Sequence, residues 1–236
     1  MKFSVLCILF FAFLSAFSQT SSAFSAEEVL EGFVFHKVKA GDTLLKIAPP
    51  EHWDIIKRVN RIDESHLVIG KKILIPNDLE KAKKFLPVPE YLKEAEKTKR
   101  VLYVFLEKQY FGTYEDGRLA FWGPVSSGSQ QKPSPRGSFK IISKQKKRVS
   151  REVPGAKMPY SLQFSKQGHI LHAQSLPGRP ASHGCIRLLM QDAIKLFNWI
   201  RINDPVILTK AVPKPGTAFL NFFDRLFRIF LNFLCK

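Results

Sequence analysis

Cysteine is scarce. The 236 residues hold three, and Cys7 lies inside an N-terminal apolar run, which leaves Cys185 and Cys235 for a processed chain. Two cysteines do not make a disulfide framework, and one of them stands among histidines, where a nucleophile is the better reading. Acidic side chains are few as well: 20 Asp and Glu face 37 Lys and Arg, for a net charge of +17. A long apolar run is also missing. The stretch from Phe3 to Phe17 falls short of the ~18 to 20 residues that a membrane span needs. No internal repeat or low-complexity tract interrupts the chain, and 24% charged with 45% hydrophobic residues is ordinary globular composition. The excess of phenylalanine belongs to the two ends: five of the 21 lie between Phe3 and Phe17 and six between Phe219 and Phe233.

A positive start at Lys2, a short apolar stretch, and small or polar residues from Ser18 to Ala23 form the parts of a secretory signal peptide over residues 1–23. Cleavage after Ala23 or Ala26 fits, and the expected destination is the periplasm or cell envelope. Removing residues 1–23 takes away only Lys2, so the charge moves from +17 to +16. So basic a chain is drawn to polyanions. Nucleic acid is not expected as a partner, because an exported protein does not normally meet it; anionic wall polymers and lipid head groups lie where this chain is sent.

Two domains and a linker follow from the pattern. In residues 34–77, Val34 to Val38 alternates as a strand, and Gly41-Asp42-Thr43 turns into the helical Leu44 to Ala48 with Asp42 as N-cap. Pro49-Pro50 stops that helix. Trp53 to Arg61 forms a second helix with Ile55, Ile56 and Val59 on one face, and Val68 to Pro76 supplies a turn and a closing strand. Residues 78–98, rich in Lys and Glu with Pro87 and Pro89, read as a partly helical, solvated linker. From Arg100 the period becomes two. Strands are expected at Val101–Leu106, Tyr110–Tyr114, Leu119–Ser126 and Ser138–Ser143, with a hairpin turn at Glu115-Asp116-Gly117-Arg118. Such spacing argues for a mostly β fold, a β-sandwich or barrel, over residues 99–212. One helix, Gln191 to Arg201, is expected to show Met190, Ile194 and Phe197 on one face before a last strand at Val206–Leu208.

The opening Val38 to Ala48, Asn60, and Gly70 to Pro76 resemble the lysin motif (LysM), a sugar-binding βααβ module. That resemblance implies that Gly41, Asp42 and Thr43 border a shallow groove for N-acetylated glycans.

His169, His172 and His183 fall within fifteen residues of one another, and Cys185 follows His183 by two. The set suits acyl transfer. A thiol needs a base and an electropositive site, the base needs a third group to fix its tautomer, and the oxyanion needs backbone N–H donors that Gly184 could bring close. His172 is the expected base; His183 is expected to support the site. Leu171-His172-Ala173 followed by Pro180 to Leu188 resembles the signature of the L,D-transpeptidase (YkuD-like) catalytic domain. Tyr114 to Gly117, Val125 to Gly128 and Pro133 to Phe139 match in family order. The resemblance implies Cys185 as nucleophile, His172 as base, and the Ala173 carbonyl as the group orienting the imidazole. The implied substrate is the tetrapeptide stem of peptidoglycan, cut between its third residue and the terminal D-alanine. Ser182, Arg187 and Tyr160 are expected to meet substrate, Arg187 through a carboxylate, although Tyr160 suits core packing equally. The interval of thirteen positions from His172 to Cys185 is short for the family, so the loop Gln174 to Ala181 should be tight.

No cofactor and no metal are expected. The alternatives are an L,D-carboxypeptidase using the same site, a zinc-dependent wall hydrolase with ligands from His169, His172, His183 and Cys185, and a glycan-binding protein whose catalytic domain has decayed. Residues 213–236 read as an amphipathic tail. Asn221, Asp224, Arg225, Arg228 and Asn232 form one polar stripe on an otherwise apolar helix, which suits a membrane surface or docking on the protein itself.

Overall fold

The computed structural model describes residues 30–150 and 153–212. The expected signal peptide and C-terminal tail lie outside the described residues.

The first module opens with β1 (Phe33–Lys37), followed by α1 (Leu44–Ile47), α2 (Trp53–Asn60) and β2 (Lys72–Pro76). The two strands pair antiparallel from Phe33↔Pro76 to Lys37↔Lys72. Ile55, Ile56 and Val59 are buried, and Val38, Leu44, Ile56, Ile62 and Ile73 form a small core. Asn60 ties the helix to the closing strand: its Nδ2 donates to the carbonyls of Ile56 and Leu74, and its Oδ1 accepts from Leu74 N–H at 2.8 Å. Asp42 does not cap α1 with its side chain. The N-cap residue is Thr43, without a side-chain bond, whereas Asp42 accepts from Lys39 N–H and contacts His36 Nε2, both at 2.8 Å. The carboxylate thus braces the turn ahead of the helix.

The second domain is one curled sheet of nine strands. They are β3 (Val101–Phe105), β4 (Tyr110–Glu115), β5 (Arg118–Ser126), β6 (Gly137–Lys140), β7 (Ser143–Gln145), β8 (Ser161–Gln163), β9 (Ile170–Ala173), β10 (Ile186–Leu188) and β11 (Pro205–Thr209). Their order is β6-β11-β3-β4-β5-β10-β9-β8-β7. β5 serves both halves: its first part pairs with β4, and Val125–Ser126 pair with β10. Two pairings are parallel, β11 with β3 and β10 with β9. The halves face each other across one core, in which Leu102, Val104, Leu171, Ile186, Leu188 and Leu208 meet Ala193 and Leu196 of α4 (Met190–Trp199). The β4–β5 hairpin turns through Asp116 and Gly117 at φ 47° and 82°, the left-handed pair that a two-residue turn of this kind needs.

Two further expectations are corrected. The buried face of α4 is Asp192, Ala193 and Leu196; Phe197 packs against the core as expected, while Met190 is exposed. The segment 78–98 is partly helical, with α3 at Leu79–Ala82, but it is not a solvated linker. Every residue of β3 is buried, because Leu102 and Val104 point into the main core and Val101, Tyr103 and Phe105 point the other way. Alternating side chains of an all-apolar strand need cover on both faces. Val88, Leu92 and Ala95 supply it, with Phe85 and Leu86 beside them. The strap is also hydrogen bonded to the hairpin, Leu92 N–H to Gly117 O and Leu119 N–H to Glu90 O, both at 2.8 Å.

Candidate active site

Strands β9 and β10 lie side by side in parallel register, with Arg187 opposite His172. The expected base and nucleophile therefore come from adjacent strands: His172 from within β9, Cys185 from the residue that precedes β10. Both line one cavity of about 580 Å³, together with Ser182, His183, Arg187, Arg148 and Lys166. Among the described residues no Asp or Glu lines it, while Arg148, Lys166 and Arg187 do.

His172 is buried at 3% exposure. Its Nδ1 lies 3.0 Å from the Ala173 carbonyl oxygen, which only accepts, so Nδ1 carries the proton and Nε2 is the basic nitrogen. Burial pushes the imidazole down to about 4 against the pull of the Ala173 bond, and the charges of Arg187 and Arg148 push the same way. At neutral pH the His172 imidazole is uncharged.

The turn before the nucleophile is tied from several sides. Ser182 Oγ contacts the Cys185 carbonyl at 2.5 Å and accepts from Gly184 N–H at 3.1 Å. Gly184 has φ +107°, a conformation that favours glycine, and a Cβ there would stand 3.2 Å from His169 Nε2, a tight contact. The Gly184 N–H is itself committed to Ser182. Ser182 is itself 2% exposed and holds the turn rather than offering its hydroxyl outward. Arg187 donates through Nη2 to the Ala181 carbonyl at 3.1 Å, half-buried at the cavity wall. His183 is exposed at the cavity. Tyr160 is not among the lining residues; its ring packs edge-on against Phe197 at 5.6 Å. His169, expected to be without a role, bonds through Nδ1 to Ser165 Oγ at 2.8 Å and roofs Gly184.

Ser134 is a residue that sequence reasoning missed. It is buried, accepts from Gly128 N–H at 2.8 Å and donates to the Gly184 carbonyl at 2.9 Å, joining the 128–134 loop to the nucleophile turn. Its place between Pro133 and Pro135 in a matched motif was the available signal. Among the described residues no three His, Cys, Asp or Glu side chains form a group that could hold a metal ion, so the four residues weighed as zinc ligands do not converge. In the first module Gly41 and Thr43 are exposed beside Asp42, on the turn expected to border a glycan groove.

Residues 99–208 match the L,D-transpeptidase catalytic domain family (YkuD), and residues 36–76 match the LysM domain family. A Mycobacterium tuberculosis protein named for L,D-transpeptidase 3 is 30% identical over 115 residues, which are 42% of this chain and 40% of that protein. A Bacillus licheniformis protein named for L,D-transpeptidase YkuD is 25% identical over 183 residues, 75% of this chain and 99% of that one. The chain thus spans two-fifths of the mycobacterial relative and nearly all of the Bacillus one. A solved L,D-transpeptidase from Stackebrandtia nassauensis, 26% identical, overlays 56% of this chain and 63% of its own with a TM-score of 0.46.

Proposed function

With a YkuD L,D-transpeptidase catalytic domain behind a LysM domain as the premise, we propose that the protein is exported to the cell envelope and exchanges peptide bonds in peptidoglycan through a thioester on Cys185. The observation that carries this reading is the pairing of a buried, neutral His172, its proton fixed on Nδ1 by Ala173, with Cys185 on the wall of the same cavity. The thiol adds to the carbonyl of the third stem residue while Nε2 of His172 takes its proton. That proton passes to the departing amine of D-alanine, leaving the thioester. A second amine, from another stem, loses a proton to His172 and takes the acyl group, and the Cys185 sulfur leaves and recovers that proton from His172. Water in its place makes the same site an L,D-carboxypeptidase. The positive wall formed by Arg187, Arg148 and Lys166 favours thiolate character at Cys185 and draws the carboxylates of a stem. The LysM turn at Gly41 to Thr43 binds the glycan, so both domains engage one polymer.

Mass spectrometry after exposure to a carbapenem, which acylates such thiols, tests the mechanism. Wild type gains one adduct on Cys185, Cys185→Ala gains none, and His172→Ala reacts at least about a hundredfold more slowly. Substantial turnover of muropeptides by Cys185→Ala sinks the thiol mechanism.

A further inference from the structure

The loop that joins base to nucleophile, residues 174–184, is held at three places. Gln174 N–H donates to the Leu188 carbonyl at 3.1 Å, within the sheet. Ser126 Oγ donates to the Arg179 carbonyl at 2.8 Å, and Ala181 and Ser182 N–H both donate to Ser127 O, at 2.9 and 3.0 Å. The third anchor comes from outside the catalytic domain. Asp63, just past α2 of the LysM module, takes both backbone groups of Leu176: its Oδ2 accepts from Leu176 N–H at 2.6 Å, and its own N–H donates to Leu176 O at 3.1 Å. Next to it Ile62 bridges Pro177 in antiparallel fashion. A Cβ on Gly178 would come within 3.2 Å of the Asn60 carbonyl and of Ile62, so the two backbones are in close contact. Leu176 is fully buried.

The other Asp63 oxygen, Oδ1, is engaged inside the LysM module, by Ser65 N–H at 2.9 Å, Ser65 Oγ at 2.6 Å and His66 Nδ1 at 2.8 Å. The carboxylate is therefore fixed on its own module before it grips the loop. Burial opposes ionisation, but the bonds from Ser65, His66 and Leu176 hold the group below the ordinary carboxylate range, so it is charged at neutral pH. Charge-assisted bonds of this kind are shorter and stronger than neutral ones.

The geometry points to Asp63 of the LysM module as a positioning residue for the Cys185 loop, so that the module shapes the active site as well as binding the wall. The interval of thirteen positions between His172 and Cys185 leaves little slack, and a loop released at Leu176 can move Cys185 relative to Nε2 of His172. This inference rests on the thiol–imidazole reading given above.

The test uses the full mature protein with Asp63→Ala, and Ser65→Ala as its control. Ser65→Ala removes a hydroxyl from the Oδ1 side and leaves the Leu176 bonds in place. Alkylation of Cys185 by iodoacetamide, located by peptide mapping, is followed from about pH 5 to about pH 10 at a temperature well below melting. Asp63→Ala is expected to slow alkylation at neutral pH by about tenfold or more and to move its midpoint upward, while Ser65→Ala follows wild type. Coincident profiles for all three overturn the inference. Equal slowing in both variants also overturns it, since the cause is then general loosening of the module. Carbapenem acylation is run in parallel. A wild type that forms no adduct removes the proposed function, and the alkylation profiles still decide the role of Asp63.

Discussion

His172 is the residue at which burial, tautomer and charge act together. A carbonyl partner on Nδ1 leaves Nε2 as the base, and burial holds the ring neutral down to about 4, far below the ordinary histidine value. The acid limb of acylation is accordingly expected near pH 4 rather than near the ~6.5 of a free imidazole. A pH profile of carbapenem adduct formation that falls between pH 7 and 6 contradicts this. The same shift is a statement about stability. Because the folded value lies below the unfolded one, the unfolded chain binds more protons between them. The stability linked to His172 is present above ~6.5 and lost as pH falls towards about 4, roughly 3 kcal/mol in all. Urea denaturation of wild type and His172→Gln at neutral and acid pH checks it: the difference between the two proteins should narrow or reverse on acidification, and a constant difference refutes the shift.

At the scale of elements, helix α4 shows where a periodic reading fails. An apolar face of Met190, Ile194 and Phe197 is regular, yet the inward face carries Asp192 at 1% exposure. Its partner comes from the other module: Arg58 of α2 donates through Nη2 to Asp192 Oδ1 at 2.7 Å, through Nη1 to the Trp122 carbonyl at 2.9 Å, and lies 5.5 Å from the centre of the Trp122 ring. No pattern within one helix announces a carboxylate satisfied from 134 positions away. The strap at 78–98 was more legible than its charge suggested. The unbroken apolar run Val101 to Leu106 signals a strand covered on both faces, and the chain just before it is the nearest cover. The meeting of His172 and Cys185 at one cavity was legible because their motif is local, whereas Asp63 and Ser134 bond to residues 113 and 50 positions distant. Burial pushes the Asp192 carboxyl up to about 6 despite the opposing pull of Arg58, so its charged form depends on that partner. Arg58→Leu should cost about 3 to 5 kcal/mol at neutral pH by stranding the charge, and adding Asp192→Leu should restore most of it. A raised folded value means the penalty is absent while the carboxyl is protonated and grows as pH rises through it. The deficit of Arg58→Leu measured by denaturation is thus expected to be smaller at pH 5 than at pH 8, and a deficit that grows on acidification contradicts the assignment.

For the whole molecule, the sequence suggests two domains joined by a partly helical, solvated linker, and the contacts describe a different mechanical unit. Phe85 of the strap touches Phe33 of β1, Tyr110 of β4 and Trp122 of β5 edge-on, at centroid distances of 6.2, 6.2 and 5.8 Å. Tyr110 Oη reaches the carbonyls of Arg58 and Val59 at 3.1 Å each, at the end of α2 where helix carbonyls lack internal partners. With the Arg58–Asp192 pair and the Asp63–Leu176 bonds, the join is polar, aromatic and buried. A LysM module of this size has a core of a few aliphatic side chains, and so small a core is marginal by itself. Lending its surface to the strap and to β4 and β5 stabilises it, and it returns a fixed wall for the 174–184 loop. The two modules should therefore unfold together. Calorimetry of the mature protein is expected to show one transition. Trp53 of the LysM module and Trp199 of the catalytic domain, each observed with Trp122 and the other replaced by Phe, should report the same midpoint. A separate early transition seen only by Trp53 would show that the modules melt independently, and would return the LysM domain to the role of a tether.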